Sequence, residues 1–261
     1  MWSVFDLVVD AERGVLWVAS TAVPHYRGYD AAKHLGRAGV FKFDLATGKF
    51  LKRFLSPSIA GQAFFLSTLA LGKDGEVYVA DGVNNAVYQV RDDRFRRLFH
   101  APVLGSIRGM AVSGDGKKLY LGDHERGILG FELDSGKPFD VSVPKTLALG
   151  GIDGLAWWQG HLIVVQNGMH PPRVMRLKLQ ADGKGIAAVQ PLVANQPELT
   201  LPTLGTLAGD EFYFIANSQK ENYDRFGLVK DESKRVPTRI YRVRADYKPP
   251  TPAALPPPKK P

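Results

Sequence analysis

The chain has 261 residues, 44% of them apolar and 23% charged, with a net charge of +8. This suits a globular protein of two ordinary domains or one large all-β domain, and no run of 18 apolar residues offers a membrane-spanning helix. Cysteine is absent, which excludes disulfides and thiolate chemistry, and Lys and Arg are scattered apart from short clusters (Arg94, Arg96, Arg97; Lys259, Lys260), so the charge reads as a solvated surface, not a nucleic-acid interface.

The opening segment, MWSVFDLVVD, reads as a strand and has neither the basic region nor the cleavage site of a signal peptide. Within it DLVVD (6–10) is followed by the turn AERG and by LWVAS (16–20). A long stretch then leads to GVFKFD (39–44), whose alternation fits a half-buried strand, and through DLATGKF to FLKRFL (50–55). The same order recurs. TLALG (68–72), KDGE and VYVAD (77–81) precede AVYQVR (86–91). GMAVS (109–113), GDGKK and LYLGD (119–123) precede GILGFE (127–132). GLAWW (154–158), QGH and LIVVQN (162–167) precede RVMRLK (173–178). GTLAG (205–209), DE and FYFIAN (212–217) precede RIYRVR (239–244).

Gly and Asp in the links supply the positive φ of tight hairpins. Four antiparallel strands every ~40 to 60 residues is the pattern of a β-propeller blade. The chain is therefore predicted to be an all-β propeller of four-stranded antiparallel blades, five of them visible. A five-bladed ring is one reading. Because the chain opens inside an innermost strand, the other is a six-bladed ring whose first blade is absent, with a start codon placed upstream of Met1. The predicted propeller covers residues 1–246. The tail YKPPTPAALPPPKKP (247–261) holds seven of the 18 prolines and reads as a solvated, disordered extension.

The runs D-G-L-A-W, L-I-V-V-Q-N-G and R-V-M-R-L resemble the senescence marker protein/gluconolactonase/LRE-like group and the wider NHL-like six-bladed propellers. The opening blade, with its long loop between second and third strands, resembles the yellow/royal jelly branch. The first resemblance implies a divalent cation, Ca2+ or another, at the mouth of the central channel. Oxygen ligands would come from the starts of the innermost strands, and the ion would assist lactone or ester hydrolysis. Asp153, in IDGLAW, matches the group's Asp and is the expected metal ligand. Arg108, in IRGM, stands where the group has an Asn, and the group's Glu belongs to a blade this chain lacks. Phe5–Asp6, Ser67–Thr68 and Thr203 hold the remaining strand starts.

Two functions follow. One is a metal-assisted lactone or ester hydrolase, with Asp153 and His124, the best-placed general base, as catalytic residues. The other is a non-catalytic small-ligand propeller with its metal site broken at Arg108, where the guanidinium holds a carboxylate or pairs with Asp153. In either case Arg108, Asn167, Asn217 and Ser67 are the candidate substrate-binding residues. Asp81, Asp123, Asn167 and Asn217 recur at second-strand ends, where a structural bond to the next loop is the simpler role. Trp17, Trp157 and Trp158 are expected to fill space between blades. No zinc spacing, G-x-S-x-G elbow or phosphate-binding glycine run occurs. A small-molecule ligand or lactone is the expected partner. The compartment is periplasmic or secreted if a signal peptide lies upstream, and cytoplasmic otherwise.

Overall fold

The computed structural model of the chain describes residues 1–59, 61–100, 102–224 and 227–249. Five antiparallel sheets follow one another. The first comprises β1 (Ser3–Asp10), β2 (Val15–Thr21), β3 (Ala38–Asp44) and β4 (Phe50–Leu55), with the four-residue helix α1 (Ala31–His34) in its long loop. The second comprises β5 (Leu66–Leu71), β6 (Val77–Asp81), β7 (Ala86–Arg91) and β8 (Arg94–His100). The third comprises β9 (Ile107–Val112), β10 (Lys118–Asp123), β11 (Gly127–Glu132) and β12 (Lys137–Asp140). The fourth comprises β13 (Ile152–Trp158), β14 (His161–Gln166), β15 (Arg173–Leu179) and β16 (Ile186–Ala194). The fifth comprises β17 (Thr203–Ala208), β18 (Glu211–Ile215) and β19 (Ile240–Arg244).

Each sheet is a meander in which strands adjacent in the chain are adjacent in space, so the described residues form an all-β propeller with five blades visible. Four blades have four strands, and in the last blade three strands, β17, β18 and β19, lie among the described residues. The proline-rich tail from residue 250 onward lies outside the described residues.

Local sequence explains the hairpins. At the tip of β13–β14, Trp158 pairs with His161. The two residues between them, Gln159 and Gly160, both have positive φ, 44° and 76°. This is the primed turn whose twist matches the flanking strands.

Apolar faces meet across four seams. Trp17, Ala19, Val40 and Phe54 of the first blade pack on Leu66, Leu69, Val79 and Tyr88 of the second. Ala70, Tyr78, Ala80 and Val87 pack on Met110, Leu119, Leu121 and Phe131. Ala111, Tyr120 and Ile128 pack on Leu155, Leu162, Val164 and Met175. Ile163, Val165 and Val174 pack on Phe212 and Phe214. Burying one such side chain contributes roughly 1.5–3 kcal/mol. Near the axis the inner strands almost touch. A Cβ on Gly109 would lie 2.5 Å from the backbone nitrogen of Leu155 in the next blade.

Trp17, Trp157 and Trp158 serve these seams as expected. Trp17 is buried in the first, Trp157 stacks on Tyr120 with ring centroids 6.1 Å apart, and Trp158 packs against the fifth blade while its indole donates to Asp210.

The fifth and first blades do not pack on one another in this way. Leu7 is 55% exposed, whereas Leu69, Met110 and Leu155, at the same place in the next three inner strands, are 6%, 4% and 8% exposed. Ile240 is 68% exposed, whereas Val87 and Val174, its counterparts in the second and fourth blades, are both 0% exposed. Above this uncovered pair of faces the long loops of the two blades meet, where Gly227 lies against the His25 ring.

This asymmetry predicts unequal costs of truncation. Leu155→Ala should lower unfolding free energy by about 2–4 kcal/mol, as expected for a filled core site, and Leu7→Ala by less than about 1 kcal/mol. Urea denaturation of both variants measures the difference.

Candidate site at the channel mouth

The five inner strands start at one end of the molecule. Ser3 pairs with Thr21, Leu66 with Asp81, Ile107 with Asp123, Ile152 with Gln166 and Thr203 with Ile215, so the loops after the second strands gather at that end too. Each inner strand carries one bulge there. The residues skipped in the pairing are Phe5, Ser67, Arg108, Asp153 and Leu204. A bulge takes its residue out of the ladder and re-aims the side chain, a device common beside functional sites. The sequence assigns Thr203 to the fifth position. In the structure Thr203 stays paired with Ile215 and Leu204 is the extra residue, with φ of 29°. The rim therefore offers one aromatic ring, one hydroxyl, one guanidinium, one carboxylate and one aliphatic side chain.

Asp153 is 4% exposed. Its Oδ2 accepts a 2.7 Å bond from the Asn167 amide, which also donates to the Pro202 carbonyl at 2.9 Å. The Lys220 ammonium, on the long loop of the fifth blade, lies 3.9 Å from the same oxygen. Asp153 therefore turns toward the fifth blade. The expected pair with Arg108 does not form among the described residues. Lys220 takes that place, and nothing in the strand pattern pointed to it, because it sits in an irregular loop.

Arg108 is exposed, and its Nε donates to the Ser106 hydroxyl at 3.0 Å. No carboxylate pairs with it among the described residues, so both terminal nitrogens are free. Ser67 is half-buried at the equivalent place in the preceding blade. His124 is half-buried, its Nδ1 3.2 Å from the Ile152 carbonyl and its Nε2 side over Gly168. A carbonyl only accepts, so Nδ1 carries the proton in that bond.

The other second-strand ends bond the adjoining loops. Asp81 accepts from the Phe65, Val83 and Asn84 backbone amides and from the Asn84 side-chain amide at 2.7 Å, and Asp123 from the Ser106, Glu125 and Arg126 backbone amides. Asn217 donates to the Pro237 carbonyl and accepts from the Arg239 amide. All three act as loop anchors.

Below the rim is a cavity of about 300 Å³ lined by all five inner strands. The residues one place after each bulge are Asp6, Thr68, Gly109, Gly154 and Gly205, so backbone forms most of the throat. Asp6 is the acid within it. Its carboxylate accepts from the Leu69 amide at 2.7 Å, the Thr68 hydroxyl at 3.0 Å and the Leu7 amide at 2.8 Å, tying the first blade to the second. Burial pushes its carboxyl above the ordinary range, against the lowering effect of those bonds. The sequence placed Asp6 at a strand start but gave no sign of this role.

The rim does not suit a hard divalent cation. Such an ion needs several oxygen ligands. One carboxylate is present, its nearest companions are an amide nitrogen and an ammonium, and a guanidinium stands at the next position. Among the described residues no three acidic, His or Cys side chains gather to hold a metal.

A propeller with a bulged, chemically mixed rim is the class that fold and site define. The family model for major royal jelly protein matches residues 2–133, and the chain belongs to that family. Among solved structures, virginiamycin B lyase from Staphylococcus aureus is 16% identical, with a TM-score of 0.56, over 94% of this chain and 71% of its own. Luciferin-regenerating enzyme is 14% identical, with a TM-score of 0.58, over 94% of this chain and 78% of its own. A nidogen/laminin complex contains a chain 16% identical, with a TM-score of 0.58, over 82% of this chain and 72% of its own. These likenesses establish the fold. No curated protein sequence matches the chain.

Two outcomes are expected from the polar groups. Asn167→Ala leaves the Asp153 carboxylate and the Pro202 carbonyl short of a donor in a buried place and should cost about 1–3 kcal/mol in urea unfolding. Asp6 holds its proton more tightly folded than unfolded. Its contribution is therefore most favourable in acid, declines as pH rises from about 4 through its raised value, and is constant above it. Asp6→Asn should remove that decline, measured as the change of urea midpoint with pH.

Proposed function

We propose that this propeller binds a small ligand at the channel mouth without turning it over, and that an anionic group of the ligand meets Arg108. The observation that carries this reading is the state of Asp153. Its carboxylate is occupied by the Asn167 amide and faces Lys220, while Arg108 is left with two free donor groups. Arg's planar fork suits a carboxylate, and Ser67 on the neighbouring strand adds a hydroxyl.

The metal-assisted lactone or ester hydrolase is the second reading. It is favoured by the gluconolactonase-like D-G-L-A-W run and by the shared fold of luciferin-regenerating enzyme. It needs further carboxylates beside Asp153, and the described rim supplies none. A small molecule suits the chain better than nucleic acid, because Arg94, Arg96 and Arg97 do not form one patch. Arg96 turns to Gln89, whereas its neighbour Phe95 stacks on Tyr88, on the opposite face of the sheet.

Calorimetric titration with Ca2+, together with a glucono-δ-lactone hydrolysis assay, separates the readings. The expected result is no saturable heat and no rate above buffer. In parallel, gluconate should perturb the Arg108 side-chain NMR signal, and Arg108→Ala should weaken gluconate binding about tenfold, the loss of one charge-assisted contact. A Ca2+ isotherm that disappears in Asp153→Ala would overturn the proposal.

A further inference from the structure

The open seam between the fifth and first blades holds a recess of about 410 Å³. Both blades wall it, with Phe5 and Leu7 from β1, Leu204 from β17, Ile215 from β18 and Ile240 from β19. Its size and apolar walls are those of a small-molecule pocket. Leu7 and Ile240 stand exposed there while their counterparts in other blades are buried, so covering them with hydrocarbon is favourable.

Among the described residues Asp6 is the one charged side chain in the lining. Its carboxylate is already bonded to the Leu69 and Leu7 amides and the Thr68 hydroxyl. Farther down the fifth blade Arg242 faces Glu211 at 3.6 Å and Arg244 holds Asp246 at 2.7 Å, outside the recess.

The recess is continuous with the channel mouth. Phe5 and Leu204 are bulge residues of the rim. Asp6, Leu7, Gly205 and Thr206 line both the recess and the throat cavity, so the two voids adjoin. Neighbouring inner strands follow the order β1, β5, β9, β13, β17 around the axis, which sets Arg108 of β9 across the channel from the recess. Gly109, the next residue, lines the throat on that side. Above the recess Gly227 lies against the His25 ring. A further sheet entering the seam would have to part that contact, whereas a hydrocarbon chain would not.

We propose that the ligand of the channel mouth is a carboxylate with an alkyl tail. The carboxylate meets Arg108, and the tail crosses the throat into the recess between Leu7 and Ile240. This rests on the assignment of Arg108 to an anionic group and adds the other half of the ligand. The charges near Arg108 leave it available. Asp153 is taken by Asn167 and faces Lys220, and the loop after β10 carries one charge of each sign, Glu125 and Arg126, with the Glu125 carboxylate beside Gly105.

Isothermal titration of the full chain with butyrate, hexanoate and octanoate tests the assignment, with gluconate as a head group without a tail. Binding should tighten about fourfold for each added CH2, the gain from burying it. Leu7→Asp and Ile240→Asp, both at exposed positions where folding is checked by the melting temperature, should weaken octanoate at least tenfold and leave gluconate unchanged. Val143→Asp, at an exposed apolar position after β12 of the third blade, should bind octanoate as the wild type does. The assignment is overturned if octanoate binds no tighter than butyrate, or if both seam variants bind it like the wild type. In either case gluconate binding that depends on Arg108 leaves the mouth reading standing. Octanoate and gluconate binding that both survive Arg108→Ala unchanged would overturn the two together. Sedimentation velocity gives the last check. A wild-type dimer that is lost in Ile240→Asp and resists octanoate would assign the recess to a second copy and overturn the proposal.

Discussion

Apolar side chains meeting across the seams hold the inner strands close enough to leave only a narrow channel. The fit is tight near the axis, where glycine at positions 109 and 154 lets one backbone lie almost on the next. A larger residue there would push two blades apart and move every rim residue beyond them. The rim is thus a product of the core. Each bulge turns a side chain out of a ladder whose strand is held by packing, on both sides in the second, third and fourth blades and on one side in the first and fifth.

Polar groups complete what packing begins. Buried acids and amides at the second-strand ends anchor loops, and a few side chains tie one blade to the next. The Thr21 hydroxyl bonds the Leu66 backbone, Asp6 reaches Leu69, and Arg176 reaches the Ala245 carbonyl. This division of labour separates Asp153 from Asp81 and Asp123. The latter two bond backbone amides of the adjoining loops, with the Asn84 side chain added at Asp81, whereas Asp153 meets Asn167 and faces Lys220 of the fifth blade.

The blade order was legible because three signals agreed: alternation, turn residues and a fixed sequence of runs. VYVAD, AVYQVR, GILGFE and FLKRFL coincide with β6, β7, β11 and β4 to the residue. The royal jelly likeness of the opening blade was legible too. The site was harder to read. Asp153 and Arg108 stood out as rim residues, but which neighbour each would face depends on side-chain direction, which alternation does not encode. Lys220 escaped notice because it lies in the long connection between β18 and β19, which has no strand period.

The uncovered faces of Leu7 and Ile240 have a consequence for cooperativity. In a closed ring every sheet has two neighbours, and none can leave without breaking the circle. This chain is wired more like a row, in which each interior sheet is clamped on both sides and each terminal sheet on one, with loop contact at His25 and Gly227 as the bridge between the ends. Such a row behaves as a nearest-neighbour array whose end units separate first. The fourth-blade carboxylate Asp153 faces the last blade at Lys220 and is joined to Pro202 through Asn167, so separation of that end unit would take away part of the rim.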